Sequence, residues 1–281
     1  MKIAIVTDST CDLEQEYLAQ HDIYVLPLKV VFKDRQYHDR VDLQPKEFYA
    51  RLAHEIPSTS MPGPGEVAEL FSLLESKGYD HVLAVHISSG LSGTFNVVKM
   101  VAQQFPNLKV EVIDSKALSL GLGFLVMKAV QLRDLGEKFS DLVKQTKETQ
   151  KKTKIFFIVK TLEYLKKGGR IGLIQSSLGE LLDIKPIISV NEEGKYYTFA
   201  KVRGRKKSIE KLKELVLELI QGRKVNLAVA HSDAEEEGRR VLQDLVQAAG
   251  DSIQKYFLCE LGPGMVVHCG PGLLGIIFNF V

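Results

Sequence analysis

A loop rich in serine, threonine and glycine is the segment of this sequence best suited to bind an anion. Residues 88–94 (SSGLSGT) lie between an apolar run of strand length and a helical pattern. Such a loop directs hydroxyl and backbone N–H groups towards a helix N-terminus, where unpaired donors and the helix dipole favour negative charge. Ser92 is therefore a candidate anion-binding residue, although an N-cap role for Ser92 explains the same pattern equally well.

A second cluster of hydroxyl groups precedes another helical pattern. Ser58, Thr59 and Ser60 are followed by Met61 and a turn rich in proline and glycine. Open α/β sheets bind their ligands beside the carboxyl ends of strands. The sequence thus predicts two hydroxyl-rich loops at the edge of the sheet where a ligand binds.

Arg170 and His268 are candidates to complete an anion site. Residues 161–167 predict a short helix that Gly168 and Gly169 end, so that Arg170 follows the turn. Capping of that helix end by Arg170 is an equally good interpretation. His268 stands among Val, Met and Cys residues, a setting more typical of a buried, hydrogen-bonded histidine than of a ligand contact.

Several other chemistries are disfavoured. The chain has no GxxxxGK[ST] loop, no GxGxxG after a strand and no HExxH motif. Its histidines do not have i, i+4 spacing on a predicted helix, so no metal site is expected. His38, Asp39 and Asp42 are interpreted as solvated loop polarity, and Ser9 is predicted to cap a helix start three residues before Asp12.

Composition points to an ordinary globular protein. The chain is 45% hydrophobic and 26% charged, with a formal charge of +2, so the whole molecule is not an electrostatic nucleic-acid binder. Three cysteines without CxxC spacing fit a reducing cytoplasm better than a disulfide framework. The acidic residue at position 8 interrupts the apolar stretch that a signal peptide needs.

The first half of the chain alternates strand and helix patterns. Near-continuous apolar strands in such an alternation predict a parallel sheet covered on both faces. The predicted strands cover residues 2–7, 23–32, 81–87 and 109–113. The predicted helices cover residues 12–20, 45–54, 66–76, 92–104 and 117–135.

The second half of the chain does not continue this alternation of strands and helices. The polar segment 140–154 is the expected boundary between the two domains. Two strands flanking residues 191–194 predict a hairpin with Gly194 in its turn. A helix over 206–221 follows, and then strands over 225–231, 254–260 and 273–280. The segment 261–281 lacks charged side chains but contains five glycines and two prolines, which predict a loop, a short helix and a buried strand instead of a membrane span.

Taken in order, six motifs make the chain resemble the DegV family. Each motif is weak alone, but the ordered set is specific and extends nearly from end to end. Met61 is one departure, since relatives often carry Gln there. The motifs are Thr7-Asp8-Ser9 with Asp12-Leu13, Thr59-Ser60-Met61-Pro62, residues 88–94, Ile113-Asp114-Ser115, Lys167-Gly168-Gly169-Arg170-Ile171, and Gly262-Pro263-Gly264 with His268 and Gly270-Pro271-Gly272.

The resemblance implies a two-domain α/β fold, with a Rossmann-like parallel-sheet domain over residues 1–152 and a mixed-sheet α/β domain over residues 153–281. It implies one long-chain fatty acid in a tunnel between the domains, and neither a cofactor nor a metal. In FakB-type members the bound acid is presented to a separate ATP-binding kinase subunit, which phosphorylates the carboxylate to an acyl phosphate. This chain is then a non-catalytic carrier.

By the same resemblance, the carboxylate is bound by Thr59, Ser60, Ser92, Arg170 and His268. The basic run 201–207 is expected to dock an acidic face of the kinase through Arg203, Arg205 and Lys206. The implied partners are the fatty acid, the kinase subunit and, transiently, a membrane, but not nucleic acid.

Two functions of other classes remain as alternatives. A serine hydrolase acting on a lipid or small ester would use Ser92 with His268 and Asp114, although residues 90–93 lack the G-x-S-x-G spacing. A nucleic-acid module would use the basic run 201–207. The lack of interleaved aromatic residues and the near-neutral total charge disfavour that module.

Overall fold

A computed structural model describes residues 1–174 and 184–281. The described chain divides into two compact units. The first unit comprises Met1–Lys151 together with Gly262–Gly264, and the second comprises Lys152–Leu261 and Met265–Val281. A short segment from late in the chain therefore belongs to the first unit.

A four-stranded parallel sheet in the order β2-β1-β6-β7 forms the centre of the first unit, as the alternating pattern predicts. Its strand β1 is buried at every residue, which explains the continuous apolar run in the sequence. The strands of the first unit are β1 (Ile3–Asp8), β2 (Ile23–Leu26), β3 (Lys29–Val31), β4 (Gln36–His38), β5 (Ser58–Ser60), β6 (His81–His86) and β7 (Lys109–Asp114).

Helices cover both faces of this sheet. On one face, Val6 and Ala84 pack with Phe71 of α3 and Val98 of α4. Helix α5 contacts β1 and β6 and lies outside that cluster, so it covers the opposite face, to which alternate strand residues point. The helices up to residue 152 are α1 (Gln15–Gln20), α2 (Pro45–Leu52), α3 (Pro64–Ser76), α4 (Thr94–Ala102), α5 (Leu120–Asp134) and α6 (Phe139–Lys152).

A small antiparallel sheet in the order β4-β3-β5 positions the second hydroxyl cluster. The prediction of one strand over residues 23–32 is wrong, because β2 and β3 belong to different sheets. Pro27, between them, has no N–H group to donate to a strand ladder. The prediction of a loop at residues 58–60 is also wrong, because Thr59 pairs with Val30 in a short edge strand.

The second unit contains a mixed sheet in the order β10-β9-β8-β13-β11-β12, in which only β11 and β12 pair in parallel among the described residues. The predicted hairpin is confirmed by the antiparallel pair β9 and β10, with Gly194 at a φ of +79° in its turn. The strands are β8 (Thr153–Ile158), β9 (Ile187–Val190), β10 (Tyr196–Ala200), β11 (Val225–His231), β12 (Ile253–Glu260) and β13 (Leu274–Phe280).

The helices of the second half pack an apolar stripe against this sheet. Leu212, Val216 and Ile220 of α8 are buried in one cluster with Val229 and Ile276 of the sheet. This confirms the helical periodicity predicted for residues 206–221. The main helices described after residue 152 are α7 (Glu163–Lys167), α8 (Arg205–Ile220), α9 (Glu235–Ala249) and α10 (Pro263–Cys269).

Two helices are not among the predicted elements. The polar segment 140–154 folds mostly as α6, whose Phe139 and Leu142 are buried. Helix α9 was likewise missed, although its buried Val241 and Leu245 have helical spacing. The segment 261–281 forms α10 and the buried strand β13, as predicted. Across the described parts of the chain, no helix has the length and apolar character needed to cross a membrane.

Candidate functional site

Ser92 lies in the loop where the chain passes from β6 to α4. Its N–H donates to Ser88 O at 3.0 Å. Ser92 Oγ is 2.9 Å from Thr94 Oγ1 and accepts from the Thr94 N–H at 3.3 Å. The N-cap residue of α4 is Gly93 and not Ser92, so the predicted N-cap role is wrong, although Ser92 still accepts from the N–H of the first residue of the helix. Ser92 is only half-buried, so it is partly accessible to solvent beside the N-terminus of α4.

The second hydroxyl cluster lies beside this loop. Ser60 is exposed, and its Oγ donates to Met61 O at 3.2 Å. Met61 packs directly on Gly93, where an added Cβ would be 2.5 Å from Met61 Sδ. The first unit therefore brings Thr59 and Ser60 next to the loop that contains Ser92.

Buried Asp8 connects the carboxyl ends of β1 and β6. Its carboxylate accepts from the Thr10 N–H at 3.1 Å and from Thr10 Oγ1 at 2.5 Å, and it lies 3.0 Å from His86 Nδ1. The predicted helix cap at Ser9 is wrong, because Asp8 caps the short 3-10 turn here. Ser9 Oγ instead accepts from the Leu28 N–H at 3.0 Å. Asp8 thus links the end of β1 to the end of β6, the strand that precedes the loop containing Ser92.

Asp114 pairs with a lysine at the end of β7. Its Oδ2 is 2.8 Å from Lys116 Nζ, and its Oδ1 accepts from the Ser89 N–H at 3.1 Å. Burial acts to raise the pKa of Asp114, but hydrogen bonds from Lys116 and Ser89 outweigh it and hold that pKa below its ordinary value. Ser92 bonds to Thr94 and Asp114 to Lys116, so the first unit does not link either residue to a histidine and gives no support to the hydrolase alternative.

Arg170 and His268 lie together in the second unit. Arg170 Nη1 donates to Gly168 O at 2.6 Å, so the guanidinium folds back on the C-terminal end of α7, as the capping alternative predicts. His268, in the last turn of α10, packs so closely on Gly168 that a Cβ there would overlap the imidazole. Burial lowers the pKa of His268 to about 4, and the charge of Arg170 adds to this effect. His268 is therefore neutral at neutral pH.

A second glycine allows α7 to approach the residues after α10. Gly270 has a φ of +70°, and an added Cβ would overlap the ring of Tyr164. The contacts of Gly168 with His268 and of Gly270 with Tyr164 thus exclude any larger side chain at either glycine. The two glycines fix how His268 and Arg170 are placed within the second unit.

The predicted docking residues differ in their surroundings. Arg205 Nη2 is 2.5 Å from Glu237 Oε2, and Arg205 Nε lies 3.2 Å from the same oxygen, so its charge is paired with α9. Arg203 and Lys206 are exposed. Of the three, Arg203 and Lys206 present their charges on the surface.

A buried charged cluster in the first unit was not predicted from the sequence. Asp12 Oδ1 is 2.7 Å from Arg40 Nη2 and accepts from the Gly262 N–H at 3.0 Å. Asp39 Oδ1 accepts from the Gly264 N–H at 3.0 Å. Asp12 and Asp39 are only 3% and 1% exposed. The cluster thus binds the segment Gly262–Gly264 to the rest of the first unit.

The interpretation of His38, Asp39 and Asp42 as solvated loop polarity is wrong for Asp39. Burial raises the pKa of Asp39 to about 6, and hydrogen bonds from Gly264 and Ser9 only partly oppose it. The only sequence feature that could have indicated this buried cluster was the pair Gly262 and Gly264. Their partners, Asp12 and Asp39, lie far away along the chain. Within residues 1–174 and 184–281, no three His, Cys, Asp or Glu side chains are arranged to hold a metal ion.

Comparison with known proteins shows similarity along the whole chain. A family model described as "Uncharacterised protein, DegV family" matches residues 2–280. A DegV domain-containing protein of Clostridium acetobutylicum is 41% identical over 276 residues, which are 98% of this chain and 98% of that protein. Protein DegV of Bacillus subtilis is 35% identical over 284 residues, with 100% of both chains covered.

Solved structures agree with this result. DegV of Bacillus subtilis, described as a fatty acid binding protein, has a TM-score of 0.93 and 34% identity, with 100% of both chains covered. A stearic acid-binding protein of Eubacterium ventriosum has a TM-score of 0.90 and 27% identity, covering 100% of this chain and 98% of that one. The match over residues 2–280 and these identities show that the chain belongs to the DegV family.

Proposed function

We propose that this protein binds one long-chain fatty acid and holds its carboxylate with hydroxyl groups of the first unit. The observation that carries the proposal is the contact of Met61 with Gly93, which joins the two hydroxyl clusters at the N-terminus of α4. Relatives described as fatty acid binding proteins share the fold along the whole chain. The chemistry of the clusters and the ligand of the relatives point to the same class of molecule.

A fatty acid needs both an apolar environment and a polar anchor. Burial of about sixteen carbons contributes about 12 kcal/mol at about 0.8 kcal/mol per methylene, and loss of motion offsets much of that gain. The carboxylate must keep hydrogen-bond donors when it leaves water. Thr59, Ser60 and Ser92 supply such donors without introducing a buried charge.

Arg170 and His268 are proposed as further carboxylate-binding residues, on the basis of the family resemblance. Because the pKa of His268 is lowered to about 4, the imidazole would bind as a neutral N–H donor. Arg170 would supply the positive charge, and its contact with Gly168 O fixes the orientation of the guanidinium. A neutral donor and a cation together suit an anionic head group.

We further propose that the chain presents the bound carboxylate to a separate kinase subunit that forms the acyl phosphate. Exposed Arg203 and Lys206 would then meet an acidic face of that subunit, while Arg205 stays paired with Glu237. In this role the chain carries substrate and product and does not itself catalyse the transfer. A reducing cytoplasm suits the three cysteines, all of which are buried.

Extraction of the purified protein with organic solvent, followed by mass spectrometry, tests the binding proposal. We expect one long-chain fatty acid per chain, because a fatty acid whose acyl chain is buried away from water stays bound during purification. If the folded protein yields no lipid after repeated extraction and takes up no added oleate, the proposal is wrong. Acyl-phosphate formation with an added fatty acid kinase tests the carrier role separately.

A further inference from the structure

The segment Gly262–Gly264 is held by two carboxylates that lie far away in the sequence. Asp12 accepts from the N–H of Gly262, and Asp39 accepts from the N–H of Gly264, each at 3.0 Å. Both carboxylates are buried, and Arg40 compensates their charge through its 2.7 Å contact with Asp12. Such groups cannot exchange their partners for water, so these bonds hold the segment firmly.

Only glycine fits at either position of this contact. A Cβ at Gly262 would lie 2.7 Å from Arg40 Nε, and a Cβ at Gly264 would lie 2.8 Å from Asp39 Oδ2. Real Cβ atoms do not approach so closely, so Arg40 or Asp39 would have to shift, and both take part in the contacts that hold the segment. The glycines therefore serve to bring this backbone against the carboxylates.

Helix α10 starts within this segment and carries His268 in its last turn. His268 follows Gly264 by four residues, which is about one turn of an α-helix. Residues with this spacing lie one above the other on the same helix face. A shift of the Gly264 backbone would therefore be transmitted directly to the start of the turn that carries His268.

We propose that Asp39 is a positioning residue for His268, because its carboxylate holds the backbone of Gly264 at the start of helix α10. Asp39 does not contact the ligand in this role and acts only through the helix. The effect on binding rests on the proposed function, in which His268 binds the carboxylate. The hydrogen bond by which Asp39 holds the start of helix α10 does not depend on that function.

Oleate binding by isothermal titration separates this role from a merely structural one. We expect Asp39→Ala to weaken oleate binding, but by no more than His268→Ala does, and we expect the double variant to bind no more weakly than His268→Ala alone. If His268→Ala weakens binding and Asp39→Ala does not, the positioning role is wrong. Asp39→Asn keeps an oxygen that accepts from Gly264, so its affinity should stay within about twofold of wild type. Asp34→Ala, which removes an exposed carboxylate paired with Arg51, is the matched control and should bind normally.

Hydrogen exchange of the peptide containing residues 262–269 gives a readout independent of the ligand. Exchange should be faster in Asp39→Ala than in Asp39→Asn or Asp34→Ala. The positioning role is wrong if hydrogen exchange is unchanged in Asp39→Ala. It is also wrong if the fold-loss of oleate affinity in the double variant equals the product of the two single fold-losses. If His268→Ala binds oleate normally, the proposed contact of His268 fails, and the exchange result alone decides the role of Asp39.

Discussion

At the scale of single residues, the environment decides what each polar side chain does. Ser92 and Asp39 are both polar residues in loops, but Ser92 is half-buried at a helix N-terminus whereas Asp39 is 1% exposed. Ser92 bonds to Thr94 at the start of α4, and we propose that its hydroxyl also binds the carboxylate. Asp39 has a raised pKa and bonds to the backbone of Gly264.

Replacement of the hydroxyl residues should weaken binding of the acid selectively. We expect Ser92→Ala and Thr59→Ala each to cost about 1–3 kcal/mol in oleate binding, because the carboxylate loses a charge-assisted donor. Oleyl alcohol, which lacks the carboxylate, should lose much less affinity. Ser89→Ala, in the same loop but bonded to Lys116, is the control. Equal losses for acid and alcohol would mean that these residues only shape the site.

Asp39 should make stability depend on pH in an unusual direction. The folded state raises the pKa of Asp39 from 3.8 to about 6, so the folded state binds this proton more tightly than the unfolded state. This contribution therefore favours folding at low pH and is lost as pH rises towards and through 6. When the pH is lowered from 7 to 5, the free energy of unfolding of wild type should rise by about 1 kcal/mol relative to that of Asp39→Asn.

Urea unfolding of both proteins, followed by circular dichroism at pH 5, 6 and 7, measures this difference. Arg40, Asp12, Ser9 and the Gly264 N–H are the groups that face Asp39, and all remain in the variant. Parallel pH profiles of the two proteins would show that Asp39 titrates normally in the folded state.

At the scale of elements, close approaches of backbone decide which helices can meet. Gly168, at the end of α7, contacts His268 of α10, and Gly270, just after α10, contacts Tyr164 of α7; a Cβ on either glycine would overlap these side chains. Both glycines belong to the motifs shared with the DegV family, but the sequence does not indicate which side chains pack against them.

Gly270→Ala should destabilise the second unit more than a comparable substitution elsewhere. Gly136 has a φ of +74° with no atom within 4 Å of an added Cβ, whereas Gly270 has a φ of +70° and a clash with Tyr164. Gly136→Ala should cost about 1 kcal/mol for the left-handed backbone alone. Gly270→Ala should cost about 1–3 kcal/mol more because of overpacking. Thermal unfolding of both variants checks this, and equal costs would contradict the contact.

At the scale of the whole molecule, surface charge is balanced but locally uneven. The net charge is only +2, yet residues 201–207 include five basic residues. The structure pairs Arg205 with Glu237 and leaves Arg203 and Lys206 exposed. A docking role for the basic run therefore falls on the exposed residues.

The double variant Arg203→Ala with Lys206→Ala should leave oleate binding unchanged and slow kinase-dependent acyl-phosphate formation. The loss should be larger at low salt, because ions screen contacts between exposed charges. Lys138→Ala with Lys144→Ala removes the same charge from exposed positions on and beside α6 and serves as the control. Wild-type rates for the docking variant at both salt concentrations would show that the run is only a solvated surface.

The sequence by itself determined the features that depend on neighbours in the chain. The periodicity of residues 206–221, the turn at Gly194 and the apolar strands of the parallel sheet are all present in the structure. Propensity, turn chemistry and alternation act over a few residues, so a local pattern contains the information. The hydroxyl clusters at residues 58–60 and 88–94 were recognisable for the same reason.

Only the tertiary structure decided which distant groups meet. The bonds from Gly262 to Asp12 and from Gly264 to Asp39 join residues that are 250 and 225 positions apart. Nothing near Asp39 in the chain distinguishes it from its half-buried neighbour His38 and its exposed neighbour Asp42, so its burial could not be predicted. Burial and partner choice arise from packing between remote segments, and that packing turned an ordinary loop aspartate into the residue that holds the start of helix α10.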